Sequence, residues 1–87
     1  MNGIAWRPNR ARQVTLRHDR VRDTDLLLLP EQVVVLHGHA GAILRLCDGS
    51  REVHEIVDEL AGRFPGAPVA EEVPAFLQRV QARGWLT

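Results

Sequence analysis

The apolar positions of this chain change period once. From Val14 to Leu36 they alternate or run in short blocks; from Ala40 onward they recur every three to four residues. In Val14–His18, Val14 and Leu16 alternate with polar neighbours, the pattern of a half-buried strand. Leu26–Leu36 then holds two apolar runs around a Pro30-Glu31 corner, and two such runs around a turn signal predict a β-hairpin. This places strands at Asp25–Leu29 and Gln32–His37. Pro30 cannot take the positive φ that a tight primed hairpin turn needs at its first position, so a wider turn on type I geometry is expected. The short links make a three-stranded antiparallel meander with the third strand at an edge. Val33–Leu36 is apolar at every position, as if both of its faces were to be covered.

Helical spacing takes over at Ala40, Ile43, Leu44 and Cys47, with Asp48-Gly49 as the stop. Val53, Ile56, Val57, Leu60 and Phe64 mark a second amphipathic helix, closed by Pro65-Gly66. Val73, Phe76, Leu77 and Val80 mark a third, ending at Gly84, which as C′ would bring Trp85 back onto Val80. Pro74 suits only a first helical turn, so this helix is expected to start no earlier than about Glu71. The fold class is therefore α+β and winged-helix-like, a three-stranded antiparallel sheet followed by three helices.

Composition narrows the setting. The chain has 87 residues, 45% hydrophobic and 25% charged, enough for one domain. Residues 1–13 have no period and read as a mobile N-terminal arm, with Ile4 and Trp6 as its sizeable apolar groups; residues 14–87 read as a single domain. One cysteine, Cys47, excludes an internal disulfide. No apolar run has the length of a signal sequence core or a membrane span, so a cytoplasmic protein without a membrane partner is expected. Residues 1–22 carry six Arg against Asp19 alone, a net +5, and the remainder carries −5. Such asymmetry either suits an acidic partner or neutralises the chain's own domain.

Chemistry-bearing patterns are sparse. His37, His39, His54 and Cys47 match no zinc spacing, and Cys47 lies on an apolar stripe. No nucleophile–base set, phosphate loop or carboxylate pair stands out, so neither catalysis nor a cofactor is expected. A winged-helix DNA-binding protein is the rival class. Its recognition helix should be basic, whereas the second helix carries Glu52, Glu55, Asp58 and Glu59 and the third opens with Glu71-Glu72, so no nucleic acid partner is expected. A purely structural subunit of an enzyme complex is the other alternative.

With the element order set, three stretches carry a resemblance: Arg17-His18-Asp19-Arg20-Val21-Arg22, Leu27-Leu28-Leu29-Pro30-Glu31, and Ala42-Ile43-Leu44-Arg45-Leu46-Cys47-Asp48-Gly49. Together with Val53-His54-Glu55-Ile56-Val57 and the closing Phe76-Leu77 and Gly84-Trp85-Leu86, they make the chain from about Arg7 onward similar to the PqqD family of pyrroloquinoline quinone (PQQ) biosynthesis. The resemblance implies a peptide chaperone, a RiPP recognition element. Such a protein binds a ribosomally made, PqqA-like precursor peptide and presents it to a PqqE-like radical-SAM enzyme. It further implies that the peptide's leader adds as an antiparallel strand to the third strand, with its apolar side chains entering the cleft beside the third helix. On this chain the implied site is Val33, Val34, Val35, Leu36 and His37 on one wall and Phe76, Arg79, Val80 and Arg83 on the other. Arg79 and Arg83 would flank an acidic leader. Two positions depart from the family pattern. His37-Gly38 stands where Asn or Asp is usual, and Glu52 replaces a Thr N-cap, which leaves Ser50 as a substitute cap or the helix frayed.

An edge strand without charge, proline or bulge is a liability unless something covers it. Strand addition by a peptide uses such an edge, and proline at Val34 is expected to remove one of its donors. The same open edge leaves a homodimer by strand exchange as a further partner.

Overall fold

The computed structural model describes residues 5–87. Three strands, β1 (Thr15–Asp19), β2 (Thr24–Leu28) and β3 (Val33–Leu36), precede three helices, α1 (Ala40–Arg45), α2 (Val53–Arg63) and α3 (Val69–Ala82). The sheet is antiparallel throughout in the order β1-β2-β3, so β3 lies at an edge, as the short links require. This is the α+β order expected from the change of period.

Each link has a chemical reason. Between β1 and β2 the Asp19 carboxylate accepts from the amides of Val21 (3.0 Å) and Arg22 (3.4 Å), and Asp23 takes φ 50°. Between β2 and β3 lie residues 29–32, none at positive φ, and the Leu29 amide donates to Gln32 O at 2.9 Å. The link thus avoids the positive φ that Pro30 forbids, with Pro30 second of its four residues. At the end of α3 the Trp85 amide reaches Val80 O (3.2 Å) and the Gly84 amide reaches Gln81 O (2.9 Å), with Gly84 at φ 81°. That is the full Schellman pair.

One face of the sheet is covered. Leu27 is buried with Leu44 of α1, Ile56 and Leu60 of α2, and Val73 and Leu77 of α3; Leu16, Val34 and Leu36 pack against this cluster. The period of 2 puts Leu26, Leu28, Val33 and Val35 on the other face. There Val33 remains 60% exposed and Val35 47%. The expectation that β3 is covered on both faces therefore fails within the chain, because all three helices lie on one side.

Three boundaries differ from expectation. Helix α3 begins at Val69, a turn and a half before Pro74, which consequently lies inside it. The proline deprives only the carbonyl of Ala70, which is exposed and open to water. Helix α2 is capped at Glu52 and not at Ser50: the Glu55 carboxylate accepts from the Glu52 amide at 2.8 Å, and the Ser50 hydroxyl turns to Asp48 instead. Helix α1 ends at Arg45, and the chain closes in tighter turns, from Leu46 to Ile43 O and from Cys47 to Leu44 O, that bury Cys47 completely.

The segment expected as a mobile arm is the largest departure. Ile4 falls outside the described residues. Residues 6–11, however, run as an extended strap between the end of α1 and the chain's C-terminus. Asn9 and Thr87 exchange backbone bonds at 3.2 and 2.8 Å, Arg10 N donates to Cys47 O (3.1 Å), and Ala11 N to Trp85 O (2.9 Å). Trp6 Nε1 donates to Thr87 O at 2.9 Å, and Pro8 is buried. The Arg10 guanidinium closes the end of α1 by donating to Leu44 O at 2.6 Å. A strap of isolated bridges has no repeat, so periodicity could not reveal it.

Candidate functional site

Between β3, the first turn of α1 and one face of α3 lies a groove of about 850 Å³. The core residues Leu27, Ile43 and Leu44 form its floor, Val34 and Leu36 one wall, and Phe76 and Val80 the other. Eight of the nine expected site residues line it; the exception is Val33. The unsuspected members include Gln32, His39, Glu71, Glu72 and Trp85. For α3 a signal was present: positions 71, 75, 79 and 83 form a single i+4 row that ends in the two arginines already singled out.

The phase of the open edge follows from a single bond. Leu29 and Gln32 face one another and are hydrogen-bonded, and hydrogen-bonded and non-bonded pairs alternate along an antiparallel ladder. With Leu27 opposite Val34 and Asp25 opposite Leu36, it is Val34 and Leu36 that turn their amides and carbonyls toward β2. Val33 and Val35 turn theirs outward. Proline at Val34 would thus break the sheet and not the edge, contrary to the sequence expectation.

Charge is arranged along the groove. The Arg79 guanidinium lies 5.9 Å from the Phe76 ring centre and that of Arg83 lies 5.2 Å from the Trp85 ring. Among the described residues, Glu71, Glu72, Arg79 and Arg83 make no ion pair. Helix α1 is tied to the sheet through its last residue by Asp25, whose side chain is 18% exposed and lies 2.8 Å from His18 Nδ1 and in contact with the Arg45 guanidinium. The hydrogen bond from His18, followed by that from Arg45, holds the Asp25 carboxyl below the usual carboxylate range against the opposing cost of burial.

The histidines go to separate places. His39 packs its ring on Phe64 (centres 4.3 Å apart), and His54 Nε2 lies 3.1 Å from Glu52. Burial pushes the Cys47 thiol up to about 12, so it behaves as a small core residue.

A three-stranded antiparallel sheet backed by three helices, with a groove between its β3 edge and α3, defines a small α+β domain. The family model described as "Coenzyme PQQ synthesis protein D (PqqD)" matches residues 24–86, and the chain belongs to that family. Curated relatives named "PqqA binding protein" include one from Pseudomonas entomophila (strain L48), 38% identical over 84 residues that span 95% of this chain and 88% of that one. Another, from Gluconobacter oxydans (strain 621H), is 42% identical over 78 residues, 87% of this chain and 81% of the relative. A solved relative is the NMR structure of the PqqD truncation of Methylobacterium extorquens PqqCD, described as a functional and stand-alone RiPP recognition element. It superposes with a TM-score of 0.69 at 34% identity, covering 92% of this chain and 87% of the other.

Proposed function

We propose that this chain is a peptide chaperone of PQQ biosynthesis. It binds a PqqA-like precursor peptide along β3 and presents it to a PqqE-like radical-SAM enzyme, with no catalysis of its own. The observation that carries this reading is the outward-facing backbone of Val33 and Val35 beside an apolar groove. Relatives sharing more than a third of their residues with this chain are named for binding PqqA. An added strand would form four backbone hydrogen bonds with Val33 and Val35 and place alternate side chains between Val34, Phe76 and Val80.

The magnitudes fit a carrier. Four bonds at about 1 kcal/mol each and two or three apolar side chains at about 1.5–3 kcal/mol each give roughly 7–13 kcal/mol. Association and ordering take back several kcal/mol, leaving affinities around the micromolar range. Titrating isotope-labelled protein with a PqqA-like precursor peptide tests the reading. Amide shifts should concentrate on Val33–His37 and on the face of α3 bearing Phe76, Arg79, Val80 and Arg83. Shifts confined to the strap or to α2 would contradict it.

A further inference from the structure

The groove is electrically bipolar, and its polarity can be oriented on β3. The end of α3 is tied to the start of the sheet: Ala11 N donates to Trp85 O, and Gln13 Nε2 to Gly84 O at 3.4 Å. Two residues after Gln13, Thr15 begins β1, opposite Leu28, which in turn faces Val33. Arg79 and Arg83 therefore flank the Gln32–Val33 end of the groove. At the other end His39 stacks on Phe64, the residue that closes α2 and leads into the start of α3. Glu71 and Glu72 therefore flank the Leu36–His37 end. Helix α3 runs antiparallel to β3, acidic at its first turn and basic at its last.

The helix dipole alone favours acids at the start of a helix and bases at its end, but it does not choose a side of the helix. Here every charged residue of α3 and its C-cap, Glu71, Glu72, Arg79 and Arg83, lines the groove. The exposed residues away from the groove are Ala70, Gln78, Gln81 and Ala82, all uncharged. The four charges lie with Phe76 and Val80 on two adjacent i+4 rows, 71-75-79-83 and 72-76-80, and have no ion-pair partner among the described residues. A ligand that fills the groove meets two carboxylates at one end and two guanidiniums at the other.

Resting on the reading of strand addition at β3, we infer that the groove selects a peptide segment of the pattern basic–x–apolar–x–acidic, read from N- to C-terminus. Residues opposite Val35 and Val33 in an antiparallel added strand use their backbones and turn their side chains to the far sheet face. Residues opposite Leu36, Val34 and Gln32 turn theirs into the groove, at positions i, i+2 and i+4. Spacing agrees independently. The middle of the acidic pair and the middle of the basic pair lie about 14 Å apart along a helix rising 1.5 Å per residue, and about four residues of extended strand cover that distance. The residue opposite Leu36 is then Lys or Arg facing Glu71 and Glu72. The one opposite Val34 is apolar against Phe76 and Val80, and the one opposite Gln32 is Asp or Glu facing Arg79 and Arg83.

Three synthetic peptides, flanked alike by Gly and Ser, test this with the intact protein: one carrying Lys-Thr-Leu-Thr-Glu, one the swapped Glu-Thr-Leu-Thr-Lys, and one the neutral Gln-Thr-Leu-Thr-Gln. Followed by amide shifts at up to millimolar concentration, the first should bind about fivefold or more tighter than the swapped peptide. The gap should shrink in high salt. A spin label on its N-terminus should broaden His37 and Glu72, and one on its C-terminus Gln32 and Arg83. In the Arg79→Glu/Arg83→Glu protein, with its fold checked by the dispersion of its amide spectrum, the preference should vanish. Equal binding of all three peptides at β3, or broadening at the opposite ends, would overturn the charge pattern and leave strand addition standing. No shift at β3 from any of them would overturn both.

Discussion

The carboxylate arm of Asp25 occupies the space that a side chain on Gly41 would need. A Cβ at Gly41 would lie 2.6 Å from Asp25 Cγ and 2.8 Å from its Cβ, so moving the tip of Asp25 would not relieve the clash. Asp25 is also held in place by His18 and Arg45. Through this contact β2 sets the position of the α1 turn that forms the groove floor. Gly41→Ala should cost about 1–3 kcal/mol in urea unfolding. Part of that loss should be recovered when Asp25→Ala accompanies it, since residues in contact do not add. A fully stable Gly41→Ala protein would contradict the packing described.

The same carboxylate gives a pH dependence with a definite sign. Its folded-state pKa is depressed, so its contribution to stability is complete above the unfolded value of about 3.9 and is lost as pH falls through the folded value. Asp25→Asn should be less stable than the parent at neutral pH, and the difference should narrow as pH drops below about 4. Asp48, also depressed by its bonds from Ser50, titrates in the same acid window but is common to both proteins and cancels in the comparison. A constant difference from pH 7 to pH 2, followed by denaturant midpoints, would show that the ion pair does not set it.

Much of this architecture was legible in the sequence, for reasons that also explain what was not. Alternation at Val14–Leu16 and the i+3/i+4 stripes of α2 and α3 encode burial, and burial largely fixes the elements. Gly84 announced its Schellman cap because only a positive φ explains it there. The strap over residues 6–11 was hidden, since its order comes from amides pairing with residues some 40 to 80 positions away. Pro74 misled, because an exposed carbonyl at Ala70 tolerates the loss of a bond that a buried one would not. The walls of the groove came from family resemblance together with apolar spacing. Its acidic end did not, because Glu71 and Glu72 read equally well as first-turn residues until the fold placed them across from β3. Nor could sequence tell which valines of β3 face outward, since that depends on the phase of the ladder.

That phase separates two otherwise similar substitutions. Val35→Pro removes an outward donor and leaves the bonds between β2 and β3 intact, so the protein should fold and lose peptide binding by tenfold or more. Val34→Pro removes a donor to β2 opposite Leu27 and should destabilise the fold by about 3 kcal/mol or more. Val35→Thr, which keeps the backbone donor, should bind nearly as the parent does. Isothermal titration with the precursor peptide, alongside thermal unfolding of each variant, checks all three. If the two proline variants exchanged these behaviours, the assigned phase would be wrong.

The most direct measurement of the central claim is residue-resolved amide hydrogen exchange along β3, with and without saturating PqqA-like precursor peptide. In the free protein Val34 and Leu36 should be protected by their bonds to β2, while Val33 and Val35 exchange near the rate of an open chain. With peptide bound, Val33 and Val35 should both become protected, and Val34 and Leu36 should change little by comparison. Protection that leaves Val33 and Val35 exchanging freely while peptide is demonstrably bound would contradict strand addition at this edge.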